Sequence, residues 1–76
     1  MAKYELVRFI DPNDGETTFA QFANDRTEVA IYNSESMARD MFTEDYSMDT
    51  VEDALNIPGY AEAVEAALKG EVVETA

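Results

Sequence analysis

Seventy-six residues carry seventeen carboxylates against five basic side chains, and this formal charge of −12 repels DNA, RNA and anionic membranes. The chain has no Cys and no His, which excludes disulfide staples, thiolate nucleophiles, Cys/His zinc sites and the commonest general base. A hydrophobic fraction of 46%, with four Tyr and four Phe, argues for a folded chain rather than a disordered one, and the length suits one domain spanning 1–76.

The opening residues, MAKYELVRFID, contain no leader-like apolar run, and no stretch nears the roughly 20 apolar residues of a spanning helix. The expectation is a soluble, cytoplasmic protein with no membrane partner. Tyr4 to Ile10 (YELVRFI) is short and rich in aromatic and β-branched residues, as a strand requires. Alternation puts Tyr4, Leu6, Arg8 and Ile10 on one face, and Glu5, Val7 and Phe9 on the other. Neither face is purely polar, which points to cover, at least in part, on both sides. Arg8 within this run is expected to be partly buried and paired with a carboxylate.

DPNDG (Asp11 to Gly15) is dense turn chemistry. With Glu16 it also begins like a calcium loop. Counting from Asp11, however, Gly15 falls at the fifth position instead of the sixth, and Phe22 stands where a bidentate Glu belongs. The hairpin reading is preferred. Thr17 to Ala23 (TTFAQFA) follows as a second strand, although FAQFA also fits a helical turn. Asn24, Asp25 and Arg26 form a turn, and Thr27 to Tyr32 is a third strand.

The period then changes. Asn33 or Ser34 can cap a helix with Met37, Ala38, Met41 and Phe42 as its apolar face. Asp49, with Glu52 three residues on, is close to a capping box and predicts a helix over 50–56. Ile57-Pro58-Gly59 interrupts it. Tyr60, Ala61, Ala63, Val64, Ala67 and Leu68 repeat at helical spacing, and Gly70 sits where a C′ glycine belongs. Residues 71–74 (EVVE) read as an edge strand or a frayed tail. The predicted architecture is α+β: a three-stranded antiparallel sheet within 4–33, followed by two or three helices within 34–69, packed on one face.

SMDTVE (Ser47 to Glu52) resembles the segment around the prosthetic-group serine of acyl carrier proteins, which are also small and acidic. That resemblance implies phosphopantetheine on Ser47. The family triplet reads DSL, whereas here it is Tyr46-Ser47-Met48, with Asp45 one place early; the family is also all-helical. A cap or loop role for Ser47 is therefore preferred. The carboxylate pairs Glu44/Asp45, Glu52/Asp53 and Glu62/Glu65 come with no sign of the dry pocket that acid–base catalysis needs. No catalytic residue, metal ligand or cofactor is assigned, and the chain is read as a non-enzyme.

Charge is the remaining signal. Residues 1–39 hold seven carboxylates against four basic residues, whereas 40–76 hold ten against Lys69 alone. Excess charge of one sign destabilises a compact fold, so it invites a functional explanation, and the natural one is a basic partner surface. Asp40, Glu44, Asp45 and Asp49 beside Glu52, Asp53, Glu62 and Glu65 form the candidate partner-binding set. One helix bearing acids every third or fourth residue is too dilute to imitate DNA phosphates at about 3.4 Å spacing, but two adjacent elements approach that density.

In size, charge and lack of motifs the chain resembles the small acidic inhibitors that phages encode against CRISPR and restriction systems. The resemblance implies a nucleic-acid mimic acting in the host cytoplasm, with no direct nucleic-acid contact of its own. The alternative is a structural or assembly module that self-associates, for instance as a homodimer, through its four Met and exposed aromatics such as Tyr46 or Tyr60, with the acidity serving solubility.

Overall fold

The computed structural model describes residues 3–45 and 48–76. In chain order the elements are β1 (Tyr4–Ile10), β2 (Thr17–Ala23), β3 (Glu28–Tyr32), α1 (Glu35–Asp40), β4 (Asp49–Thr50), α2 (Val51–Ala54), α3 (Tyr60–Leu68) and β5 (Glu71–Thr75). The strands form one antiparallel sheet in the order β4-β3-β2-β1-β5. The α+β class and the central meander agree with the sequence reading. The sheet has five strands rather than three, because two short edge strands flank the meander.

Turn chemistry fixes the register. In the β1–β2 turn, Asp11 Oδ1 accepts from the Asn13 amide at 2.9 Å, and Asp14 Oδ1 accepts from the Glu16 amide at 2.9 Å. Gly15 takes φ +73°, a conformation other residues adopt only with strain. Asn13 Nδ2 also reaches the Gly59 carbonyl at 2.8 Å, tying this hairpin to the start of α3. The β2–β3 turn carries three consecutive left-handed residues, Asn24, Asp25 and Arg26. Asn and Asp tolerate that region. Arg26 is held there by its contacts: Nε to Glu5 at 2.8 Å, Nη1 to the Leu68 carbonyl at 3.0 Å, and its guanidinium over the Phe22 ring at 5.0 Å.

The pleat gives the sheet two buried faces. Val7, Phe9, Ala20, Phe22 and Val29 face one way, against Ala54 of α2 and Ala63, Val64 and Ala67 of α3. Leu6 and Phe19 face the other way, against Ala38 of α1, with Tyr32, Phe42 and Val73 around them. Full burial of a Phe or Leu of this kind contributes roughly 1.5–3 kcal/mol. The helices therefore pack on both faces, which corrects the one-face expectation. The mixed polarity read on each side of β1 already required this. FAQFA is strand throughout, with all five of its residues buried. Arg8 is half exposed instead of partly buried, and pairs across strands with Glu71.

Helix ends differ in detail from the sequence pattern. Ser34 caps α1, accepting from the Met37 amide at 3.2 Å, as one of the two expected caps. For α2 the cap is Thr50, not Asp49: its hydroxyl accepts from the Asp53 amide at 3.2 Å, and the helix is only one turn long. Ile57, Pro58 and Gly59 then turn the chain into α3. Gly70 follows α3 but does not adopt the left-handed C′ conformation. A Cβ there would stand 2.7 Å from the Arg8 carbonyl oxygen and 2.7 Å from Val7 Cγ1. Glycine is needed at this position for the close approach of α3 and β5 to β1. Opposite Leu6 and Val7, β5 carries a one-residue bulge at Val73, which turns both Val73 and Glu74 toward the α1 side. Among the described residues, no helix is long and apolar enough to cross a membrane.

Candidate functional site: the acidic surface

The eight candidate carboxylates are exposed, but they do not share one face. Asp40 ends α1, and Glu44 and Asp45 follow it, on the side of the sheet that α1 covers. Glu52 and Asp53 lie on α2, and Glu62 and Glu65 on α3, on the opposite side. Asp49 stands at the β4 edge, between the two groups. The fold thus brings together Asp49, Glu52 and Asp53 in one corner where β4 turns into α2. Two parallel rods of charge, the arrangement that would approach phosphate density, are not formed.

The path from α1 to β4 is set by a residue that charge counting passes over. Gln21 of β2 is completely buried on the α1 face. Its Oε1 accepts from the Thr43 amide at 2.9 Å, and its Nε2 donates to the Glu44 carbonyl at 2.8 Å and to Met48 Sδ at 3.5 Å. A buried amide with both ends satisfied is a rigid clamp. It pins the segment bearing Glu44 and Asp45 onto the sheet. Within that segment Thr43 holds φ +73°, unusual for a β-branched residue. The signal in the sequence is a lone amide inside an otherwise apolar strand.

Three members of the set have structural work. The Glu62 carboxylate accepts from the Gly59 amide at 3.2 Å and so caps α3. Asp45 accepts from the Tyr4 hydroxyl at 2.8 Å and lies 3.9 Å from the Lys3 ammonium, at the start of β1 and away from the β4 corner. Asp49 accepts from the Tyr60 hydroxyl at 3.0 Å. Burial, with that hydrogen bond second, pushes the Tyr60 hydroxyl up to about 12. Tyr60 is accordingly half-buried and bonded, not the freely exposed aromatic expected. Asp40, Glu44, Glu52, Asp53 and Glu65 have no side-chain partner among the described residues.

Ion pairs are distributed unevenly. Arg8 pairs with Glu71, Arg26 with Glu5, and Arg39 with both Glu35 and Glu74. Together with Lys3, four of the five basic residues are engaged among the described residues, and they contact five of the seventeen carboxylates. Three of these pairs involve the β1–β5 side of the sheet. Among the described residues, no group of three or more acidic side chains is arranged to hold a metal ion. The Ser47 position lies outside the described residues, as does Tyr46.

Compared with known proteins, the chain matches no family model, no curated protein and no solved structure at a significant level.

Proposed function

We propose that this chain is a non-enzymatic binding protein whose acidic surface occludes a basic, nucleic-acid-binding surface of a partner protein. The observation that carries this reading is the charge left over. Twelve carboxylates have no ion-pair partner among the described residues, while four of the five cations are already engaged. Such a surface attracts a basic partner quickly and at long range. The two-sided placement of the acids favours a wedge that enters a basic cleft edge-on, over a rod that imitates a duplex side-on. A phage-encoded inhibitor of a host nuclease, working in the host cytoplasm, is the setting that suits these properties.

The test is capture of partners from a bacterial lysate by the immobilised chain. Capture is expected at about 0.1 M salt and lost at about 0.5 M, where exposed charges are screened beyond a few ångströms. It should also be lost with Glu52→Lys plus Asp53→Lys, kept with Asp14→Lys plus Glu16→Lys at the far hairpin, and competed away by duplex DNA. Capture that survives both high salt and the corner reversal would overturn the proposal.

The second reading, a self-associating module, is favoured by exposed Leu55 and Ile57 beside the β4–α2 corner. Sedimentation across a range of concentrations decides it: a monomer throughout removes the reading.

A further inference from the structure

β3 is longer than the strand beside it. β4 pairs only with Glu28 and Val29, so among the described residues Ala30, Ile31 and Tyr32 are paired on the β2 side alone. The bond from the Val51 amide to the Thr27 carbonyl, 2.8 Å, sets which peptide groups of this strand face outward. Outward groups alternate along an antiparallel ladder, so those of Ile31 share the direction of the Thr27 carbonyl and point away from β2.

Beside this stretch runs an open groove of about 440 Å³, lined by Ile31, Tyr32, Met37, Met41, Asp49 and Tyr60. Its two walls come from opposite sides of the sheet. Met37 belongs to α1 and Met41 caps its C-terminal end, with Tyr32 on their side, while Tyr60 begins α3, with Ile31 on its side. A strand laid along β3 would therefore meet apolar surface with alternate side chains on both faces. Met37 is 55% exposed although it sits on the apolar face of its helix. Methionine surfaces of this kind adapt to varied side chains.

The rim is acidic. Asp49 lies in the lining itself, and Asp40, next to Met41, has no cationic partner among the described residues. A second copy of this chain would bring a charge of −12 against −12, so charge complementarity selects a basic occupant.

We propose that the upper half of β3, unpaired on this side among the described residues, takes up an extended basic and apolar segment of the partner as an added strand, with its apolar side chains on Met37, Met41 and Tyr60 and its cations beside Asp49 and Asp40. The proposal rests on the acidic-surface reading and names the chemistry of what that surface holds.

The probe is a capped synthetic peptide of about seven residues, the length of a typical strand, alternating lysine with valine. Its control has proline in place of each valine, with equal charge and no capacity to form a strand. Both are titrated into the isotope-labelled chain at low salt. The valine peptide is expected to shift the Ile31 amide and the Met37 and Met41 methyl signals, and to bind about tenfold or more tighter than the proline peptide. The exposed substitution Met37→Lys, which leaves the core untouched, should remove that preference. Equal affinity for the two peptides, with shifts spread over the acidic residues and none at Ile31, overturns the strand-addition proposal and leaves charge-driven binding standing. Failure of both peptides while lysate capture persists also overturns it. Loss of capture as well removes the underlying reading with it.

Discussion

The two edges of the sheet are built on different principles. At the β5 edge, carboxylates are matched by cations: Glu71 by Arg8 and Glu74 by Arg39, which reaches across from α1. At the β4 edge, Glu52 and Asp53 have no such match among the described residues, nor do Asp40 and Glu44 on the α1 face, and the exposed apolar residues include Met37 and Leu55. Each edge also hangs on its own joint. β5 is joined to the sheet through Gly70, whereas the approach to β4 is pinned by Gln21. Charge is matched at one edge and left unmatched at the other among the described residues. In a chain this small, the scarce cations mark which surface is spent on stability.

Four substitutions or conditions test that contrast. Gln21→Ala should have the largest effect, because it removes the partner of the part-buried Thr43 amide and Glu44 carbonyl and leaves a void at a fully buried position. Each lost partner costs about 1–3 kcal/mol. A drop of roughly 3 kcal/mol in urea unfolding is expected, with amide exchange rising first at residues 43–44 and at β4. Exchange rising equally at β5 would break the claim of separate joints.

Gly70→Ala should cost about 1–3 kcal/mol, the usual range for forcing a methyl into filled space, because the clash is with backbone rather than with a flexible chain end. Here exchange should rise at Glu71 to Thr75 while β3 and β4 stay protected.

A smaller effect is expected in base. Tyr60 has its folded-state value raised, so between about pH 10 and 12 the unfolded chain loses its proton before the folded chain does. Stability linked to the neutral Tyr60 hydroxyl, held by its burial and then by its bond to Asp49, is complete below about pH 10 and falls as pH rises through that window. Tyr60→Phe should flatten the fall, measured as melting temperature against pH; an unchanged slope would mean that Tyr60 ionisation does not drive the loss.

Smallest of all should be Arg39→Ala. It frees Glu35 and Glu74, but exposed pairs are worth roughly 0–1 kcal/mol and are screened by salt. A loss above that range would show the β5 edge to be held by charge more than by its backbone ladder.

Local pattern made most of the fold legible, and long-range pairing decided the rest. Residues 4–10 and 17–23 alternate strongly enough to declare strands, and Ser34 and the stripe of α3 declare helices. Asp49–Thr50 leaves no pattern, since two residues cannot alternate, and EVVE is a strand only because β1 offers it a partner. The choice of face for α1 also eluded the helix pattern, although the apolar residues on both sides of β1 carried the information. As for the site, composition located the excess acid in the second half of the chain. It could not reveal that Glu62 caps a helix or that Asp45 leans on Tyr4, because both depend on neighbours distant in sequence or on the exact cap position. The groove beside β3 was illegible for the same reason: it forms from α1, β3, β4 and α3 together.

The bulge at Val73 has a consequence for the protein in bulk. An edge strand with an unbroken row of amides and carbonyls is a template on which further chains can stack into a growing fibre. By inserting one residue opposite Leu6 and Val7, β5 breaks the repeat that such stacking needs. The β5 edge is therefore a poor template for such growth.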